Sequence, residues 1–210
     1  MKRRKDMKSP SENTLKLLLD YEVGGGQTYY EKKGLNFFTW PGGYSGPTIG
    51  IGIDCAYYKK QELADMFKFL QEDEIKLIQG AVGCFGEKGK LYTKTLRMAG
   101  IAVSWDRALE LFEEYTWPKY ATAMEKIYPG VENLCEDAYG ALASLIFNRG
   151  TSLSGASRKE MLTIRELIKK MDYRGISKQL KLMERLWVGK GLDGLIERRR
   201  AEAKLIQSCI

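Results

Sequence analysis

Histidine is absent from all 210 residues, and its absence excludes more chemistry than any residue present implies. Without imidazole there is no Ser–His–Asp or Cys–His nucleophile, no His-ligated zinc and no histidine general base. Acid–base chemistry near neutral pH therefore falls to carboxylates, Lys, Tyr or Cys. Long apolar runs are also missing, and nothing approaches the ~20 residues that a membrane span requires. The basic start, Met1-Lys2-Arg3-Arg4-Lys5, is not followed by the roughly 7–15 apolar residues of a secretory signal. The chain is thus expected to be made in the cytoplasm, with any export by another route. Cys55, Cys84, Cys135 and Cys209 contain no C-x-x-C pair, and without histidine they make no standard structural zinc site. Four thiols fit a reducing compartment, although an even count leaves disulfides open. No metal and no cofactor is expected.

What is present is an ordinary soluble composition, 44% hydrophobic and 29% charged, at a length that suits one domain. Lys and Arg outnumber Asp and Glu 34 to 27, a net charge of +7. A basic surface implies an anionic partner such as nucleic acid, an anionic membrane or an acidic wall polymer, or else only solubility.

Residues 1–8 read as a flexible basic tail. Ser9-Pro10-Ser11-Glu12 is a capping box with proline at the first helical position. Leu15, Leu18, Leu19 and Glu22 then fall on one helical face, and Gly24-Gly25-Gly26 ends the helix. From Gln27 to Asp54 aromatic, Thr and Ile residues interleave with Gly, Pro and Asn, as in short antiparallel strands and tight turns. Beyond residue 60 the periodicity is helical. Its stripes run through Leu63, Met66, Phe67 and Leu70, then Ala108, Leu109 and Phe112, then Ala138, Leu142, Leu145 and Ile146. Three more follow: Met161, Leu162, Arg165 and Ile168; Ile176, Leu180, Met183 and Trp187; and Leu192 through Ile206.

Two places carry chemistry. Glu22 ends a helix on its apolar face, where burial and the helix dipole both raise a carboxyl pKa toward that of a general acid. The alternative is a solvated helix-end glutamate. In Pro47-Thr48-Ile49-Gly50-Ile51-Gly52-Ile53-Asp54, alternation sends the isoleucines to the core. Thr48, Gly50, Gly52 and Asp54 share the other face, where bare backbone admits a bulky polymer. The alternative is a Gly-rich strand with Asp54 capping the next helix.

The order of helix-terminal Glu22, a hairpin region and Thr48-Ile49-Gly50-Ile51-Gly52 resembles the phage-type lysozymes, a glycoside hydrolase group. Trp105-Asp106-Arg107-Ala108-Leu109-Glu110-Leu111-Phe112 looks like that family's segment opening the helix between two lobes. Ala141-Leu142 through Phe147-Asn148-Arg149-Gly150 is similar to its central helix. Arg185-Leu186-Trp187, with Gly194-Leu195-Ile196-Glu197-Arg198-Arg199-Arg200-Ala201-Glu202, is similar to its G-L-x-x-R-R-x-x-E closing helix. The resemblance spans residues 12–207.

It implies an α+β fold, mainly helical, with a small antiparallel sheet lobe inserted after the first helix and a larger helical lobe. These would form a single domain over 9–210, with a β lobe near 25–55 and helices over 60–208. The implied activity is that of an endolysin-type muramidase, hydrolysing the β-1,4 bond between N-acetylmuramic acid and N-acetylglucosamine. Glu22 would be the acid, and Thr48 would orient water. The second carboxylate has two candidates. Glu31 stands nine residues after Glu22, where the phage enzymes carry Asp; Asp54 follows Thr48 by six, the spacing of the pesticin-type lysozyme domain, and is preferred. Six residues of straight strand span roughly 20 Å, so the chain must bend near Gly52. Trp40 and Tyr44 would stack on sugars and Asn148 would reach an acetamido group, against core or turn roles for each. Arg199, on an apolar face, needs a carboxylate partner. Glu22 is the candidate, with Arg198 as the alternative cation and an ordinary structural ion pair as the plainer account.

The partner is then peptidoglycan, with no nucleic acid, no stable membrane insertion and a monomeric chain that acts on the wall after release. The competing classes are a lytic transglycosylase, a chitinase-like glycosidase and a non-enzymatic basic wall-binding module. The segment from Cys55 to Gly100 is longer than in the phage enzymes and has no assigned role.

Overall fold

A computed structural model describes residues 7–210. The basic tail expected over 1–8 lies outside the described residues except for Met7 and Lys8, and these two are docked. Met7 is buried, Lys8 Nζ donates to the Leu134 carbonyl at 2.6 Å, and Trp117 Nε1 donates to the Lys8 carbonyl at 2.8 Å. The chain folds as two compact units, one of residues 22–116 and one of residues 7–21 with 117–210. Secondary structure is mainly helical with a small antiparallel sheet, the α+β architecture expected. Among the described residues no helix is long and apolar enough to cross a membrane.

Helix α1 (Glu12–Glu22) starts two residues later than the capping box implied. Ser11 is the cap: its Oγ accepts from Thr14 N at 3.1 Å and donates to Asp137 Oδ1 at 2.6 Å. That second bond explains the shift, because the hydroxyl is fixed by a residue 126 positions away. The buried face is also turned from the one expected, being Thr14, Leu17 and Leu18.

In the first unit, α2 (Gln27–Lys32) occupies a stretch whose aromatic and Thr content reads as strand. Packing overrides that propensity. Tyr30 is fully buried, donates its hydroxyl to the Val103 carbonyl at 2.9 Å, and meets Trp105 edge-on. The sheet is a two-stranded hairpin, β1 (Thr48–Ile49) and β2 (Ile53–Asp54), so residues 48–54 are not the single strand that alternation implied. The chain reverses over Gly50-Ile51-Gly52, where Gly50 (φ 65°) and Gly52 (φ 76°) take left-handed conformations that glycine adopts without a Cβ penalty. Ile49, Ile51 and Ile53 are all buried. Thr39 bridges the other edge of β1. The unit continues through α3 (Lys60–Met66), α4 (Glu72–Gln79), α5 (Gly86–Met98) and α6 (Trp105–Leu111), and ends in a π-helical turn over Phe112–Thr116.

The second unit comprises α1 up to Tyr21, α7 (Trp117–Ile127), α8 (Glu136–Arg149), α9 (Lys159–Ile168), α10 (Tyr173–Leu182) and α11 (Asp193–Gln207). Residues 138–146 of α8 are buried without a break, which makes it the central helix of this unit. Gly140 lets α1 approach, since a Cβ there would collide with Thr14. The cysteine expectation changes here: Cys135 and Cys209 form a disulfide that ties the α8 cap to the end of α11, while Cys55 and Cys84 are buried thiols.

Asp137 accepts hydrogen bonds from Ser11 Oγ (2.6 Å), Asn13 Nδ2 (2.9 Å) and Ser208 Oγ (3.1 Å). Burial alone would push its carboxyl up, but these three donors hold it below its ordinary 3.8. A depressed carboxyl stabilises the fold above its unfolded pKa, and the gain is lost as pH falls through the folded value. Asp137→Ala should therefore cost on the order of 1–2 kcal/mol at neutral pH. Melting curves of both proteins should converge below pH ~4; a gap that is constant with pH would contradict this account.

Candidate active site

Thr48 and Asp54 are direct cross-strand partners. Residues so placed project from one face with Cβ atoms roughly 4.5–5.5 Å apart, so the hairpin supplies the bend that six residues of straight strand would lack. Both are half-buried. Asp54 is held at both oxygens by backbone: Gly46 N donates to Oδ2 at 2.9 Å and Ala56 N to Oδ1 at 3.1 Å. The second bond caps a 3₁₀ turn over Cys55–Tyr57, so the capping role is real, and it also fixes the carboxylate in place. Gly46 is required here, because a Cβ would run into Ala56, the Asp54 carboxylate and the Cys84 carbonyl. Thr48 Oγ1 donates to the Gly46 carbonyl at 3.2 Å. Burial, and then the charge on Asp54, push the Cys55 thiol well above its ordinary range. No thiolate nucleophile stands beside Asp54.

Glu22 is the last residue of α1 and is half-buried. Glu31 is exposed on α2, where Gln27 Nε2 donates to its Oε1 at 2.9 Å. Trp40 is half-buried; its Nε1 donates to the Ser45 carbonyl at 2.9 Å, and Lys90 Nζ lies 5.3 Å from its ring centre. Tyr44 is 72% exposed. The half-buried glutamate at a helix end, the clamped aspartate beside a hydroxyl, the half-buried Trp40 and the exposed Tyr44 all belong to the first unit. A family model for phage lysozyme matches residues 30–202.

The chain belongs to the phage lysozyme family. That makes it a glycoside hydrolase of the peptidoglycan-lytic, endolysin kind. The match takes in Thr48, Asp54, Trp40, Tyr44, Asn148 and Arg199, and begins after Glu22. No match is found among curated proteins.

Two lysozyme motifs have physical explanations in the second unit. Asn148 is exposed near the end of α8, which Gly150 stops with φ 71°. In α11 the motif residues Arg198, Arg199 and Glu202 are buried. The carboxylate that the structure supplies to Arg199 is Glu202, three residues on: Arg199 Nη2 donates to its Oε1 at 2.7 Å. Ser144 Oγ donates to the same oxygen at 2.7 Å, and Arg198 Nε lies 3.5 Å from it. Arg199 thus makes an ion pair within α11, as the plainer account of it expects.

Burial pushes the Glu202 carboxyl up, against the pull of Arg199 and Arg198, and burial likewise pushes Arg199 down. Burial sets the direction of both shifts, so replacing both members by apolar groups of similar size is expected to cost little. Glu202→Ala would leave the buried Arg199 guanidinium without its carboxylate and should cost roughly 3–5 kcal/mol. Arg199→Met with Glu202→Leu should recover most of that loss in chemical denaturation. A double variant as unstable as Glu202→Ala would refute the desolvation argument.

Sequence reasoning missed Phe85 and Tyr57. Phe85 stacks on Tyr44 with ring centres 5.0 Å apart, and Tyr57 meets Phe85 edge-on at 4.8 Å. The available signal was an aromatic followed by glycine, Phe85-Gly86, between two helical stretches.

Proposed function

We propose that this phage lysozyme family member is a muramidase, cutting the β-1,4 bond between N-acetylmuramic acid and N-acetylglucosamine. Glu22 is the general acid and protonates the leaving glycosidic oxygen. Asp54 is the second carboxylate, in the pesticin-like position, and activates the attacking water or stabilises positive charge from the opposite side. The Thr48 hydroxyl orients that water. The observation that carries this reading is the register pairing of Thr48 with Asp54. It sets a hydroxyl and a backbone-clamped carboxylate side by side, the placement that water activation requires.

Trp40 and Tyr44 stack on sugar rings, and Asn148 reaches an acetamido group. Arg199 has a supporting role through its pair with Glu202, the carboxylate that Ser144 of α8 also bonds. The enzyme is made in the cytoplasm, meets the wall after release and works as a monomer.

Reducing ends released from purified peptidoglycan and from chitin test the reading. Peptidoglycan should be cut and chitin left nearly intact. Chitin as the better substrate, or no reducing ends from either, would overturn it.

A further inference from the structure

Tyr57 and Phe85, from the segment 55 to 100, form with Tyr44 an aromatic cluster for which folding alone gives no reason. Tyr44 is 72% exposed and lies flat on Phe85, the planes 6° apart. Tyr57 is 60% exposed and leans edge-on against the same ring. Two large rings left in solvent contribute little to the core, and an exposed apolar patch marks a binding surface. Holding them against a third ring removes their rotamer freedom before any ligand arrives. Binding then costs less entropy.

The cluster is tied to the candidate hairpin at defined points. Gly86 N donates to the Ser45 carbonyl at 3.1 Å, the same oxygen that Trp40 Nε1 uses, and Gly83 N donates to the Ala56 carbonyl at 3.0 Å. Gly89 packs so closely that a Cβ would strike the Cys84 and Ser45 carbonyls and the Gly46 Cα. Ser45-Gly46 and Ala56 are the backbone that flanks and clamps Asp54. The loop bearing Phe85 is therefore built onto the framework that holds the second carboxylate.

We propose that Tyr44, Phe85 and Tyr57 form a platform for pyranose rings of the glycan strand away from the scissile bond, with Phe85 and Tyr57 as substrate-positioning residues. The inference rests on the muramidase reading. Sugar rings present flat C–H faces that pack on aromatic faces, while their rims hydrogen-bond to groups such as the tyrosine hydroxyls. A glycan strand fits better than a second copy of the chain, because the surface is a few rings wide and continuous with a polysaccharide-cutting hairpin. The extra length of the segment then has a purpose: α4 and α5 present Phe85 from the loop between them.

Phe85→Leu removes the ring that backs Tyr44 yet keeps apolar volume, and Tyr57→Ala removes the second ring; Tyr57→Leu serves as a milder version if Tyr57→Ala melts early. With melting temperatures matched, the combined variant should raise KM on long soluble peptidoglycan strands about tenfold through the lost aromatic contact area, with kcat held. Cleavage of the shortest accepted oligosaccharide should change far less. In a Glu22→Gln background, co-sedimentation with insoluble peptidoglycan should weaken by a similar factor, and this measurement does not depend on which residue is the acid. Unchanged KM and co-sedimentation in the folded variants would overturn the platform. So would kcat falling with KM unchanged, or a wild-type dimer in sedimentation equilibrium that the variants dissociate. If wild type releases no reducing ends while the aromatic variants still lose binding, the muramidase reading fails and the glycan platform stands.

Discussion

Glu22→Gln should lower peptidoglycan hydrolysis by a factor on the order of 10²–10⁴, the contribution of a positioned general acid, with the melting temperature nearly unchanged. The amide keeps the size of the side chain and loses the acidic proton that the leaving oxygen needs. Glu22 sits at the end of α1, half-buried beside buried Val23, so the substitution introduces no cavity. Gly24, Gly25 and Gly26 follow, each at positive φ. They turn the chain at once after the last residue of α1. A variant retaining more than about a tenth of wild-type turnover would remove Glu22 as the acid, because that residue is too much for an enzyme without its proton donor.

Asp54→Asn should be nearly as damaging, on the order of a hundredfold or more in turnover, whereas Glu31→Gln should cost little. The Asp54 carboxylate is fixed through Gly46 N and Ala56 N. Glu31 extends from an exposed face of α2 and is engaged by Gln27 within one helical turn. Fixed placement favours Asp54, since positioning supplies much of a barrier reduction. Asn at 54 keeps one acceptor oxygen and presents an NH₂ group to a backbone N–H, so some stability, about 1 kcal/mol, should go as well. Turnover must therefore be compared at temperatures well below both midpoints. An inactive Glu31→Gln beside an active Asp54→Asn would move the second carboxylate to Glu31.

Much of this arrangement is legible in the sequence, for physical reasons that differ by element. The stripe Ile176, Leu180, Met183 and Trp187 is buried throughout, because an amphipathic helix has one place to put its apolar face. Leu162 and Leu192 fall on similar stripes by periodicity yet are 48% and 45% exposed, because periodicity alone does not say where a face ends. Alternation in Ile49-Gly50-Ile51-Gly52-Ile53 is the same for a straight strand and for a hairpin folded at Gly50 and Gly52. Only the backbone conformation separates the two, and that difference moves Asp54 from remote to adjacent. Tyr29 and Tyr30 favour strand by propensity, yet one buried ring bonded to Val103 settles the stretch as helix. Phe85 was invisible for a simpler reason. A loop residue has no period, and its partners lie 28 and 41 positions away, at Tyr57 and Tyr44.

Mass spectrometry of the fragments released from purified peptidoglycan tests the muramidase reading most directly. The account predicts soluble fragments that end in a reducing N-acetylmuramic acid and gain two hydrogens on borohydride treatment. Fragments ending in 1,6-anhydro-N-acetylmuramic acid, inert to borohydride, would identify a transglycosylase instead and leave Asp54 and Thr48 without the water they are proposed to direct.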